Sequence, residues 1–187
     1  MALLGESLVE EWLNREGFFT IRGVKHGVDE MDLLAIRPQT DGAVLGWHVE
    51  VQISFRPIGF IAKLPKTASG SRLSARKRTV EEIEACARTW VDLKFRAEPK
   101  ARVREQLWPG VNWTYHFVHA EVREPRELEI FASEGINLQP FHEILSTLAK
   151  RKTHSFSGSA GGDLAEIVSY YKSHEDPGGN RAARLAT

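Results

Sequence analysis

Two acidic residues stand in segments otherwise written for a core. Asp32 opens the run Asp-Leu-Leu-Ala-Ile, and Glu50 sits inside His-Val-Glu-Val-Gln-Ile, both rich in β-branched and apolar residues. Burying an unpaired carboxylate is expensive, so a cation between the two is expected. Hard oxygen donors with open positions suit Mg²⁺ or Mn²⁺, which keep several waters and complete their shells with substrate phosphate. Such an ion acidifies a bound water and stabilises charge developing on a phosphodiester. Gln52, two residues past Glu50 and so on the same strand face, can both donate and accept hydrogen bonds beside it.

Whether the two acids meet depends on the turn between their strands, expected over residues 31–37 and 44–54 with Pro38 and Asp41-Gly42 between them. A three-residue loop Thr40-Asp41-Gly42, with Gly42 in the left-handed region, sets Asp32 directly across from Glu50. A two-residue Asp-Gly loop pairs Asp32 with Val51 instead and sends the carboxylates to opposite faces. The metal reading requires the odd loop or a bulge. Asp29 is a rival ligand to Asp32, but no apolar run follows it directly.

At these residues the chain resembles the PD-(D/E)XK nuclease superfamily, which includes restriction endonucleases and Holliday-junction resolvases. The resemblance is carried by Glu6 on a first helix, Asp32 at the head of its strand, and the variant motif Glu50-x-Gln52. It implies that Asp32 and Glu50 hold the metal, helped by the backbone carbonyl of Val51, with Glu6 bound directly or through water. It also implies a restriction-endonuclease-like core and a homodimer. Gln52 departs from the family pattern, which usually has lysine there; Lys77, Lys66 and Lys25 are the candidates to supply that charge from elsewhere.

The flanking elements agree with an α/β fold. Residues 2–16 read as a helix ended by Gly17, with Leu4, Leu8 and Trp12 beside Val9 and Leu13, and Glu6 lies at the edge of that apolar face. A strand over 18–25 follows. Thr79 and Glu82 form a capping box opening a helix to about residue 95, with Lys94 on its apolar stripe and Pro99 closing it. A strand over 113–120, a helix over 124–133, a strand over 135–138 and a helix over 141–150 complete the order α-β-β-β-α-β-α-β-α, a mixed β-sheet flanked by helices. These make a domain over residues 1–151. Residues 152–187 are expected as a Gly/Ser linker to 162, a short helix over 163–173, and a polar, disordered tail from 176.

Between Val51 and Val80 there is no acidic residue, while Arg56, Lys63, Lys66, Arg72, Arg76, Lys77 and Arg78 all occur. A basic segment next to a carboxylate site suits a phosphate backbone. Its Gly-, Pro- and Ser-containing stretch over 59–74 reads as a mobile loop. His48 shares the face of Glu50, and His26 lies in the loop before Asp32. His116 and His119, three apart on a strand, point to opposite faces and do not form a metal pair.

With 187 residues, 42% hydrophobic content and zero formal charge, the chain suits one compact domain. No stretch is apolar enough to span a bilayer, no signal-peptide pattern opens it, and the single Cys86 suits a reducing cytoplasm. The expected function is a metal-dependent endonuclease hydrolysing DNA, with RNA as the other polymer. The competing class is a catalytically inactive nuclease fold that binds nucleic acid or acts as a scaffold.

Overall fold

The computed structural model describes residues 2–27, 29–54, 56–64, 78–150 and 160–175. After helix α1 (Ala2–Arg15), three strands form an antiparallel meander: β1 (Phe19–His26), β2 (Asp29–Pro38) and β3 (Val44–Gln52). Two further strands, β4 (Trp113–His119) and β5 (Ile136–Pro140), extend the sheet in parallel from β3, giving the order β1-β2-β3-β4-β5. The parallel strands need crossovers, and helices supply them. Helix α2 (Val80–Val91), a π-helical turn (Asp92–Arg96) and α3 (Glu98–Leu107) join β3 to β4. Helix α4 (Pro125–Ser133) joins β4 to β5, and α5 (Phe141–Lys150) and α6 (Ala160–Glu175) follow. The protein is therefore an α/β fold with a mixed five-stranded sheet flanked by helices.

Alternation along β3 and β4 divides the core. Val49 and Val118 pack on one face with Val9 and Leu13 of α1, Ile144 and Leu148 of α5, and Ala165 of α6. Phe117 packs on the other with Ala87, Val91 and Phe95 of the α2 segment and Phe131 of α4. His48 and Glu50 project into this second face, which α2, the π turn and α3 cover.

The long crossover differs from the sequence expectation. Pro99 does not close a helix; it lies in the first turn of α3, where its missing N–H needs no partner. Helix α3 turns Lys100, Val103 and Arg104 inward, at spacings of three and four. Two of the three are charged, so apolar periodicity carried almost no trace of the helix.

The segment after β3 is also more ordered than a mobile loop from residue 59 implies. Glu127, fully buried on α4, accepts the backbone N–H groups of Ile61 and Ala62 at 2.7 and 2.9 Å, and Ile58 bridges Val122. Residues 65–77 lie outside the described residues. Gly161 and Gly162, expected in a linker, start α6 instead. A Cβ at Gly161 would sit 2.2 Å from the carbonyl oxygen of Ser7, so glycine is what lets α6 lie against α1. The rest of the expected linker, 152–159, and the tail, 176–187, lie outside the described residues, as does residue 151. Among the described residues no helix is long and apolar enough to cross a membrane.

Candidate functional site

The hairpin takes the three-residue loop. Gln39 N–H donates to Ala43 O at 2.8 Å, Gly42 N–H to Gln39 O at 3.1 Å, and Gly42 has φ +86°. The β2–β3 register runs from Pro38↔Val44 to Leu33↔Val49. Continued one step past its last pair, that register sets Asp32 across from Glu50. There the carboxylate replaces a strand carbonyl, and Val51 N–H donates to Asp32 Oδ2 at 2.7 Å. The two-residue alternative, with the carboxylates on opposite faces, does not occur.

The two acids differ in charge state. Burial first, and then the neighbouring charge of Glu50, push the Asp32 carboxyl up to about 7, against the Val51 hydrogen bond and Lys94. Burial would raise Glu50 as well, but a hydrogen bond from His48 and the charges of Lys94 and Lys100 outweigh it and hold it below its ordinary value. Glu50 is 1% exposed and surrounded by donors. Lys94 Nζ lies 2.5 Å from Oε2, while Lys100 Nζ and His48 Nε2 lie 3.3 and 3.2 Å from Oε1. Behind His48, Arg104 Nη1 is 3.0 Å from Nδ1 and Nη2 is 3.4 Å from the Tyr115 hydroxyl.

Among the described residues, the lysines that reach Glu50 are Lys94 and Lys100. Lys25 is exposed on β1 across from Glu30 and is not among the donors around Glu50, while Lys66 and Lys77 lie outside the described residues. Lys94 comes from the π turn, a local widening that often marks functional positions in helices. Its signal in the sequence was a lysine on an otherwise apolar helical stripe. Lys100 and Arg104 had no such signal, because their helix was not expected.

Glu6 is half-buried on α1, and burial raises its pKa, with Arg22 opposing and the charges of Glu30 and Glu50 adding. It belongs to the same acidic neighbourhood without a direct bond to the pair. Gln52, half-buried, shares a cleft of about 390 Å³ with Lys94, Lys63 and Trp90.

The basic segment is divided. Lys63 is exposed at that cleft, and Arg56 is exposed just beyond β3. Arg78 instead donates to Ala62 O at 2.6 Å and stacks over Phe60 at 3.9 Å, so it braces the turn above Glu127. Lys66, Arg72, Arg76 and Lys77 lie outside the described residues, as do the side chains of His26 and Asp29. His116 stacks on Trp47 at 3.9 Å, and burial, with His48 adding, pushes it down to about 4; His119 stacks near Phe117 on the other face.

Among the described residues, no group of three or more His, Cys, Asp or Glu side chains is arranged to hold a metal ion. Any such ion would rest on two carboxylates, with the Val51 carbonyl, Glu6 and water completing it. That donor set fits a hard dication that retains water. The like-charge penalty on Asp32 is also the kind of cost a dication relieves.

No family model matches the chain, and no curated protein is significantly similar to it. Among solved structures, the crystal structure of AF1548, a protein of unknown function, is similar at a TM-score of 0.45 and 12% identity, covering 83% of this chain and 73% of that one. A likeness that distant carries no argument about function.

Proposed function

We propose that this protein is a metal-dependent endonuclease of the PD-(D/E)XK type acting on DNA, with RNA the other polymer to test. The observation that supports it is the β2–β3 register, which puts Asp32 and Glu50 on one face at the end of the ladder, near enough for the charge of Glu50 to raise Asp32, with Lys94 Nζ 2.5 Å from Glu50. In this reading Asp32, Glu50 and the Val51 carbonyl hold Mg²⁺ or Mn²⁺, with Glu6 alongside. When bound, the ion supplies Lewis acidity and a water of lowered pKa. Lys94 takes the part of the motif lysine and offers positive charge to the phosphodiester, while Gln52 orients the attacking water by hydrogen bonding. Lys63, exposed at the cleft, and Arg56, exposed just beyond β3, contact the backbone in this reading. Two copies, each cutting one strand, would make a double-strand break, and the free, buried Cys86 suits a reducing cytoplasm.

One observation favours the second reading, an inactive nuclease fold that binds nucleic acid or acts as a scaffold. Both oxygens of Glu50 are engaged by the chain's own donors. Incubating supercoiled plasmid and branched DNA with Mg²⁺ or Mn²⁺, beside a Glu50→Ala control, separates the two. Metal-dependent nicking lost in the variant is expected; binding without nicking at any metal concentration supports the scaffold.

A further inference from the structure

Two lysines reach Glu50, and the chain holds them differently. Lys100 is 3% exposed, and its ammonium has three acceptors: Glu30 O at 2.9 Å, Lys94 O at 3.0 Å and Glu50 Oε1 at 3.3 Å. An ammonium has three protons, so Lys100 is saturated and fixed. Lys94 is 36% exposed, and among the described residues its one hydrogen-bonded acceptor is Glu50 Oε2. Its backbone is pinned, because its own carbonyl accepts from Lys100, yet its side chain borders the cleft shared with Gln52. One cation is built in; the other can swing.

Charge balance says which would leave. Within this group, ionised Asp32 and Glu50 are matched by Lys94 and Lys100, so adding a dication leaves surplus positive charge in a largely buried site, which the nearby charge of Glu6 offsets only in part. Burial makes uncompensated charge costly, and the cheapest relief is to return to water the cation that already touches it. Lys94 meets that condition and Lys100 does not. Leaving Glu50 would also free Oε2, the oxygen that neither His48 nor Lys100 uses.

We propose that Lys94 is an exchangeable resident cation, which occupies Glu50 Oε2 in the metal-free protein and is released into the Gln52 cleft when a divalent metal enters between Asp32 and Glu50. The proposal rests on reading those acids as metal ligands, and it deepens that reading by making metal loading the event that frees the lysine. Lys94 thus opposes metal binding, whereas an ordinary supporting residue would favour it.

The test is Mn²⁺ binding to the full chain, by calorimetry or by the loss of the free-ion paramagnetic signal, for wild type, Lys94→Met, Lys100→Met and Glu50→Ala. Lys94→Met is expected to bind Mn²⁺ about tenfold more tightly than wild type, since one competing ion pair is removed. Glu50→Ala is expected to lose binding. Equal or weaker binding by a folded Lys94→Met, with wild-type binding dependent on Glu50, overturns the exchange while leaving the ligand reading intact. Absence of Glu50-dependent binding in both wild type and Lys94→Met overturns the ligand reading and the exchange with it. A measurement on the unmutated chain covers a variant that misfolds: on adding Mg²⁺, the Lys94 ¹⁵Nζ resonance should move while that of Lys100 stays, and a bound ion that leaves both unmoved overturns the exchange.

Discussion

Arg104 lies 3.0 Å from Nδ1 of His48, and a guanidinium can only donate. That nitrogen must therefore accept, which leaves the ring proton on Nε2, aimed at Glu50 Oε1 3.2 Å away. Burial is the largest influence on His48 and holds its pKa below the ordinary histidine value, with Arg104 and Lys100 adding to the effect against Glu50. The expected NMR signature is a neutral imidazole protonated at Nε2 that takes up its second proton only below the ordinary histidine range. Titration at or above that range, or a proton on Nδ1, would show that Glu50 is held differently.

Asp32 sets the pH dependence. Its carboxyl is raised from 3.8 to about 7 in the folded chain, so between those values the unfolded state has lost a proton that the native state keeps. Its contribution to stability is full below the lower value and lost as pH rises through the upper one. Asp32→Asn removes the charge and retains an acceptor for Val51 N–H. It should match wild type near pH 4 and exceed it above pH 7 by about 2 kcal/mol, allowing for partial contact with water, as read by urea unfolding at both pH values.

The same proton competes with metal. Because ligands bind deprotonated, Mn²⁺ affinity should climb about tenfold per pH unit until roughly pH 7 and then flatten. Affinity that is level from pH 5 to 8 would mean that Asp32 is not a ligand.

Lys94 and Gln52 should separate in single-turnover cleavage. Lys94→Met is expected to slow cleavage about 10²- to 10³-fold, and Gln52→Ala about tenfold, as for losing a charged against a neutral group near a developing charge. Adding Gln52→Lys to Lys94→Met should restore part of the rate, since it returns a lysine to the motif position. Full activity in Lys94→Met would remove the lysine from the chemistry.

Glu127 should matter to the fold. Glu127→Ala leaves the N–H groups of Ile61 and Ala62 buried without their acceptor and is expected to cost roughly 3 kcal/mol in urea unfolding. It should also expose residues 56–64 to protease, since those two bonds tie the segment to α4.

The parts of this molecule that were legible in the sequence are those where a local rule has one outcome. The alternation of β3 puts His48, Glu50 and Gln52 on one face, whereas the hairpin register is open between two loop lengths until Gly42 is seen in a three-residue loop. The capping box at Thr79 and Glu82 formed as read, with both reciprocal hydrogen bonds present. Lys94 stands on an apolar stripe, but the cations that α3 brings to the site leave no such trace, because charged residues facing inward make no apolar stripe. Lys100 and Arg104 lie on such a helix, and Pro99, read as a stop, is its first turn. Gly161 reads locally as linker because its reason for being glycine is the Ser7 carbonyl, far away in the chain.

In the proposed site Asp32 and Glu50 together grip one hard cation. Anomalous diffraction from crystals soaked in Mn²⁺ decides whether they do. A peak lying roughly 2.0–2.3 Å from an oxygen of each carboxylate, with Lys94 moved off Glu50, is the expected result. Well-ordered crystals that show no peak there at high Mn²⁺, with Lys94 still seated on Glu50, would contradict it.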